Sequence, residues 1–205
     1  MISIVDYGLG NVQAFANIYK RLNIPVTVAR SAEDLRNADK VILPGVGAFD
    51  WAMTRLNDSG MRDTLESLVA AGRSQVLGVC VGMQMMARSS EEGTLEGLGW
   101  IDAEVRKFSI ATPDGRLPHM GWNDVAPRVG DGLFRELGTG AQFYFLHSYY
   151  VAPRNAGVVL AVTDYQQTFA SSVGARNVYG VQFHPEKSHR WGIQLLRNFA
   201  ELRSC

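Results

Sequence analysis

The first 90 residues alternate short apolar runs with amphipathic stretches, and this alternation constrains the fold more strongly than any other feature of the chain. Residues 2–5, 26–29, 41–43 and 75–79 are short and apolar, as the strands of a buried sheet are. Between them, apolar residues recur at the spacing of an α-helix. Strands that alternate with helices pair in parallel, so this half of the chain predicts an open parallel sheet.

The second half has a different pattern, beginning near residue 99. Short alternating or aromatic runs at 100–108, 142–146, 158–163 and 178–183 are more typical of antiparallel strands. A closing amphipathic stretch at 191–202 predicts a helix that covers one face of the sheet. Because no linker or repeat separates the halves, the sequence predicts one α/β domain over residues 1–205. We expect a mostly parallel sheet with helices on both faces and an antiparallel extension.

Charge and cysteine content exclude several classes of function. Twenty basic and twenty acidic residues give no net charge, which argues against nucleic-acid or anionic-membrane partners. The most apolar central stretch ends at Arg73 and Arg88 and is too short to span a bilayer. The two cysteines, Cys80 and Cys205, form no CxxC pair, so we expect neither a disulfide framework nor a cysteine-rich metal site, and a reducing cytoplasm fits best.

The sharpest chemical motif is GVCVG at residues 78–82, where a predicted strand turns into a predicted helix over 83–87. This is the pattern of a nucleophile elbow with sulfur in place of a hydroxyl, and its glycines leave room for a strained turn and for substrate. The free amides at the helix start would also favour a thiolate at Cys80. The alternative is a small buried cysteine with a packing role.

A cysteine nucleophile needs a base, and FHPE at residues 183–186 supplies the best candidate among four histidines. His184 follows an apolar run, which puts it at the same sheet edge as Cys80 if that run joins the parallel sheet. The intervening proline restricts the backbone, so that Glu186 can turn toward the imidazole and orient it. The alternative is a loop histidine beside an unrelated, solvated glutamate.

The glycine-rich segment LPGVGAF at residues 43–49 follows another predicted strand. Amides around Val46 and Gly47, together with the amide of Val81, would form an oxyanion hole. A dinucleotide site is disfavoured because Gln13 and Asp50 stand where the third glycine of that motif belongs. No familiar metal-ligand spacing is present, so we expect neither a cofactor nor a metal.

Taken together, these motifs resemble those of the class I, triad-type glutamine amidotransferases. Further segments are similar, more narrowly, to the glutaminase subunits of imidazole glycerol phosphate synthase, which work with a separate cyclase subunit in histidine biosynthesis. The resemblance extends over residues 2–199 and includes DYGLGN at 6–11, SSEEG at 89–93, PHMGWN at 118–123, FYFLHSYYV at 143–151 and GVQFHPEKS at 180–188.

The resemblance implies a role for each residue of the motifs. Cys80 would attack the side-chain amide of glutamine, His184 would move the proton to departing ammonia, and Glu186 would orient His184. A glutamyl thioester would then be hydrolysed to glutamate. The positions that match the glutamine pocket are Gln84, Glu92, Tyr144, His147, Ser148 and Tyr149, and the aromatic neighbours of His147 favour a binding or structural role for it.

The same resemblance implies a partner and a docking surface. Ammonia has to reach the partner unprotonated, which requires a sealed interface between the subunits. The segments facing the cyclase would contribute Asn11, His119, Met120, Gly121, Trp122, Asn123 and Lys187. We expect the chain alone to be nearly inactive because the loop at 45–47 presents a carbonyl instead of an amide until the partner binds.

Three alternatives remain open at this stage. Residues 97–108 and 184–196 look more like paralogous subunits that feed ammonia to synthases of surface-polysaccharide amino sugars. A stand-alone cysteine hydrolase of γ-glutamyl compounds would use the same three catalytic groups, although it would need no docking segments. A catalytically silent binding module is disfavoured by the presence of all three groups.

Overall fold

The computed structural model describes residues 1–110, 115–128, 132–138 and 140–203, so Cys205 lies outside the described residues. No helix among those residues has the length and apolarity needed to cross a membrane. The strands are β1 Ile2–Val5, β2 Val26–Ala29, β3 Lys40–Gly45, β4 Gln75–Cys80, β5 Ser89–Ser90, β6 Ala103–Lys107, β7 His119–Asp124, β8 Ala126–Pro127, β9 Gln142–His147, β10 Tyr149–Pro153, β11 Val159–Tyr165, β12 Gln167–Ala175 and β13 Val178–Val181. The α-helices are α1 Val12–Arg21, α2 Ala32–Leu35, α3 Phe49–Asp58, α4 Arg62–Ala70, α5 Val81–Gln84 and α6 His189–Glu201.

The main sheet of the described residues has eight strands in the order β2-β1-β3-β4-β13-β12-β11-β8. Pairing is parallel from β2 to β13 and antiparallel from β13 to β8. All six residues of β4 are buried, so both faces of the sheet are covered at its centre, as is usual for parallel strands. The α/β fold with an antiparallel extension is therefore confirmed.

Strand β13 joins the two halves of the chain. Its sequence, grouped above with the antiparallel runs, pairs in parallel with β4 and antiparallel with β12. It lies inside the sheet between these two strands, and three of its four residues, Val178, Gly180 and Val181, are buried. The run before His184 therefore does join the parallel sheet, as its position at the same edge as Cys80 required, although its pattern alone was more typical of an antiparallel strand.

The helix expected at residues 83–87 is also corrected, since α5 covers only Val81–Gln84. The amides of Met86 and Ala87, which would continue the helix, bond three residues back instead of four, to Met83 O at 3.1 Å and Gln84 O at 3.0 Å. The chain therefore tightens into a 3₁₀-type turn after about one turn of α-helix.

Helices α1 and α6 pack together, with Tyr19 Oη donating to Leu196 O at 3.1 Å. Smaller sheets, β10-β6-β5 and β7-β9, complete the described structure. A bridge between Tyr144 and His184 ties β9 to the carboxyl edge of the main sheet. Cys80, His184 and the glycine-rich segment predicted for the site lie at that edge.

Candidate active site

Three strand ends place the sequence motifs side by side. Gly45 at the end of β3 lies opposite Cys80 at the end of β4, and Val181 of β13 lies opposite Val79. Parallel strands bring their carboxyl ends to one edge. The glycine-rich loop, Cys80 and the segment leading to His184 therefore meet there.

Cys80 occupies a strained backbone position, with φ 55° and ψ −112°. A non-glycine residue there costs on the order of 1–3 kcal/mol and needs a rigid surrounding. Close backbone contact supplies the rigidity: a Cβ on Gly82 would lie 2.0 Å from Leu43 O, and one on Gly78 would lie 2.6 Å from Gly82 O. The elbow geometry predicted from GVCVG is present.

His184 and Glu186 form a buried pair, with Nδ1 of the histidine 2.9 Å from Oε1 of the glutamate. Burial by itself would lower the pKa of His184. Hydrogen bonds to Cys80 and Glu186, together with the negative charges of both groups, outweigh burial and raise this pKa to about 10. The arrangement stabilises an imidazolium next to the sulfur.

The backbone around His184 is fixed by a small network. His184 N donates to Tyr144 O at 2.8 Å, and Ser188 Oγ donates to His184 O at 2.6 Å. Tyr144 N in turn donates to Ser188 Oγ at 3.0 Å. Strand β9 therefore holds the histidine in place.

A cavity of about 300 Å³ opens at Cys80. Most residues predicted for catalysis, the oxyanion hole and glutamine binding line it. Its lining consists of Val46, Gly47, Cys80, Val81, Gln84, Glu92, Pro118, Leu146, His147, Ser148, Tyr149, His184 and Lys187.

Tyr144 is the predicted pocket residue that the cavity lining does not include. Its ring lies against Trp122, with centroids 6.1 Å apart, and 5.6 Å from Lys187 Nζ. Phe143 and Phe145 take the buried face of β9, and on the opposite face it is Leu146, not Tyr144, that lines the cavity. Lys187, predicted for the interface, also lines the cavity.

Glu92 reaches the cavity from a loop anchored to α3. Its Oε2 accepts a bond from Phe49 N at 2.9 Å. In return, Asp50 Oδ2 accepts from Thr94 N at 2.9 Å and Oδ1 from Leu95 N at 3.0 Å. These bonds tie the Glu92 loop to the end of the glycine-rich segment and leave Oε1 of Glu92 for a ligand.

His147 and His119 form a buried pair at the rim of the site, with Nε2 of the former 3.0 Å from Nδ1 of the latter. His147 Nδ1 lies 2.8 Å from Tyr149 O, which can only accept, so Nδ1 carries the proton. Burial lowers the pKa of His147 to about 3 and that of His119 to about 4. Both rings are neutral at pH 7, which excludes an ionic role.

The predicted docking residues that belong to β7 lie on its two opposite faces. Met120 and Trp122 are exposed, with relative accessibilities of 65% and 46%, on the same face as Leu146. His119 is only 3% exposed and stacks between Phe145 and Tyr165. The expectation of a surface role for His119 is wrong, because side chains alternate along a strand.

The other docking residues differ in exposure. Asn11 is exposed at the start of α1 and Gly121 is partly buried. Asn123 is also partly buried and donates to Asp164 O at 3.0 Å. Of the seven predicted positions, Met120 and Trp122 therefore present the largest apolar surface.

Sequence reasoning missed Gln182, which lies within the apolar run before His184. Its side chain is fully buried, and Nε2 lies 3.8 Å from Cys80 Sγ. A polar residue inside an apolar run, two positions before the predicted base, was the available signal. Among the described residues no cluster of histidine, cysteine, aspartate and glutamate could hold a metal ion.

The chain is similar to known proteins over nearly its whole length. The family model of class-I glutamine amidotransferases matches residues 3–202. The chain is 61% identical over 204 residues to imidazole glycerol phosphate synthase subunit HisH of Bdellovibrio bacteriovorus, covering 98% of this chain and all of that one. It is 48% identical, with the same coverage, to the subunit of that name from Leptospira interrogans.

Solved structures add evidence on the fold alone. A crystal structure of a glutamine amidotransferase superimposes with a TM-score of 0.75 at 22% identity, covering 98% of this chain and 97% of the other. The structure of PurLQS from Thermotoga maritima superimposes with a TM-score of 0.70 at 14% identity, covering 98% of this chain and 97% of the other. By its matched length and its full-length relatives, the chain belongs to the class-I glutamine amidotransferases.

Proposed function

We propose that this chain is the glutaminase subunit of an imidazole glycerol phosphate synthase, acting as one domain in the cytoplasm. It would hydrolyse L-glutamine and deliver ammonia to a cyclase subunit in histidine biosynthesis. The observation that carries the proposal is the 61% identity over the full length of a subunit with that name. The relatives' names also favour this acceptor over a synthase of amino sugars.

The chemistry follows from the groups at the strand edge. The Cys80 thiolate attacks the side-chain carbonyl carbon of glutamine and forms a C–S bond. The C–N bond then breaks as His184 gives its proton to the departing ammonia, which leaves a glutamyl thioester. His184 next removes a proton from water, whose oxygen attacks the thioester, and breakage of the C–S bond returns the thiolate and releases glutamate.

Binding groups surround the reacting bond in this proposal. The free oxygen of Glu92 accepts the substrate ammonium, while donors near Ser148 and Tyr149 hold the α-carboxylate. The amide of Val81 and the loop carrying Val46 and Gly47 would stabilise the oxyanion. Support comes from their common position in the lining of one cavity with Cys80.

Partner docking is proposed for the exposed face of β7. Met120, Trp122 and Leu146 are apolar, exposed and next to the cavity mouth. Large exposed apolar side chains grouped in this way are typical of a protein interface. A cyclase docked there would cover the cavity from which ammonia leaves.

The test is glutamine hydrolysis by the full chain with and without a purified imidazole glycerol phosphate synthase cyclase subunit. We expect slow hydrolysis alone, strong activation by the partner and complete loss in Cys80→Ala, because no other group can form the thioester. Cys205→Ser, which alters the other cysteine, is the control and keeps wild-type turnover. Full activity without the cyclase would support a stand-alone hydrolase, and inactivity with glutamine in both conditions would support a silent module.

A further inference from the structure

Three groups surround the sulfur of Cys80, and they do not favour the same protonation state. Leu146 O lies 3.9 Å from Sγ and can only accept, so it favours the protonated thiol. His184 and the side-chain amide of Gln182 face Sγ as donors and favour the thiolate. Gln182 Nε2, at 3.8 Å, is thus a second donor to the nucleophile besides the base.

The orientation of the Gln182 amide is dictated by its neighbours. Gln84 Nε2 donates to Tyr149 O at 3.1 Å, and a backbone carbonyl can only accept. The same nitrogen donates to Gln182 Oε1 at 3.1 Å. Because the oxygen of Gln182 is committed to Gln84, its NH₂ group has to face the sulfur. Gln84 is 2% exposed and Gln182 is 0% exposed, so water does not compete for these hydrogen bonds.

The short helix gives this donor more importance. A long helix would help to hold a thiolate through its dipole, but α5 ends after Gln84. The amide of Val81 is assigned to the oxyanion of the substrate. A buried thiolate needs hydrogen-bond donors in compensation, and the side chain of Gln182 is placed to provide one.

We propose that Gln182 is a further catalytic residue, whose side-chain N–H donates to the sulfur of Cys80, and that Gln84 is the positioning residue that orients it. This rests on the proposed function. Gln182 transfers no proton. It stabilises the anionic sulfur before attack on glutamine and again when the C–S bond of the thioester breaks.

The experiment measures the rate of Cys80 alkylation by iodoacetamide against pH in the full chain, without glutamine or partner, and assigns the adduct by peptide mass spectrometry. In Gln182→Met we expect the midpoint of the pH profile to move upward by about one pH unit, the effect of losing one hydrogen bond to an anion. Other charged or titratable groups near the sulfur stay the same in this comparison, namely Tyr7, Glu92, His147, His184, Glu186 and Lys187.

Gln75→Met is the matched control. Gln75 is a buried glutamine at the opposite end of β4, where Nε2 donates to Arg203 O at 3.0 Å. The same loss of a buried amide there should leave the midpoint unchanged. If Gln182→Met does not fold, Gln182→Leu serves instead, because it also removes the N–H donor without adding a charge beside the sulfur.

A midpoint in the folded Gln182 variant equal to that of Gln75→Met would overturn the proposal. Gln84→Met should shift it in the same direction, and an unchanged midpoint there would remove the positioning role of Gln84. Because the readout needs neither substrate nor cyclase, these failures are distinct from failure of the proposed function, which would appear as absent glutaminase activity in the wild-type chain.

Discussion

At the scale of single residues, the proposed mechanism depends on the proton held between Cys80, His184 and Glu186. The two acidic partners raise the pKa of His184 to about 10 despite its burial. At pH 7 the imidazole is therefore charged, as the proposed protonation of departing ammonia requires. Glu186 contributes both charge and orientation, since its Oε1 faces Nδ1.

Replacing Glu186 by glutamine should test that contribution. We expect Glu186→Gln to lower the pKa of His184, seen by NMR titration, and to reduce kcat for glutamine about 10²- to 10⁴-fold, as in other enzymes whose orienting carboxylate is neutralised. Glu201→Gln, at an exposed position of α6, is the control. An unchanged NMR titration together with an unchanged kcat would argue against a role for Glu186.

The neutral pair of His119 and His147 predicts acid sensitivity. Burial lowers both pKa values, to about 4 and about 3, below the value of 6.5 for an unperturbed histidine. The unfolded chain therefore binds more protons in this range, so the contribution to stability is complete above pH 6.5 and is lost as pH falls toward 4.

The corresponding measurement is urea unfolding of wild type and His147→Gln at pH 7 and pH 5. We expect the difference in unfolding free energy between them to shrink by about 1–2 kcal/mol at pH 5, because the variant has one fewer buried histidine to protonate. His189→Gln, at an exposed histidine, should show no such change. A constant difference for His147→Gln would contradict the assignment of a neutral ring.

The site residues were predictable from the sequence where the residues that act together lie close to one another along the chain. Cys80 lies between two glycines and Glu186 lies two positions after His184, so motifs sufficed. Gln182 acts on a sulfur about a hundred residues away, across the β4–β13 pair, and no local pattern encodes that contact. The burial of His119 likewise depends on Phe145 and Tyr165, which belong to other strands.

At the scale of elements, the elbow depends on close packing of β3, β4 and α5. Gly45 and Gly82 allow this approach, since a Cβ on Gly45 would lie 2.3 Å from Gly82 N. Backbone atoms cannot move aside as a flexible side chain can. The elements are therefore locked together at the nucleophile.

Gly82→Ala should break that packing. We expect a loss of more than about 3 kcal/mol in unfolding free energy, because the new methyl would meet Leu43 O at 2.0 Å. Gly138→Ala, where no atom lies within 4 Å, should change it by less than about 0.5 kcal/mol. Equal urea midpoints for the two variants would show that α5 can shift away from β3.

Most elements of the first half were predictable because their apolar periods are regular. The boundaries of β1 and β2 agree with the sequence pattern, and α1 begins where the helical spacing does. The length of α5 was not predictable, since Met86 N and Ala87 N bond three residues back and the following carbonyls accept from residues 98–101, a contact distant in sequence. Helix α3 was not predicted, although its buried residues Phe49, Ala52, Met53 and Leu56 recur at helical spacing.

At the scale of the whole molecule, the exposed apolar face of β7 is a surface that the folded chain leaves uncovered. Trp122 is central to it and stacks on His189, with ring centroids 5.2 Å apart. Aromatic residues at the centre of an interface often contribute most of its affinity.

Trp122→Ala should therefore weaken cyclase binding by more than about 2 kcal/mol, or roughly 30-fold in Kd, measured by calorimetric titration. The control is Trp100→Ala, because Trp100 lines a separate cavity with Asn177 and Val178, at the opposite end of β4 and β13 from Cys80. If both variants bind with wild-type affinity, the docking surface lies elsewhere.

The position of β13 has a consequence for synthesis of the protein on the ribosome. Strands β1 to β4 emerge first, but β13 is inserted between β4 and β12 and comes late in the chain. Until it arrives, β4 has no neighbour on that side and Cys80 lacks both His184 and Gln182. The growing chain thus carries a cysteine without its proposed partners, and the candidate site is complete only once residues 182–186 have been made and β13 has paired with β4.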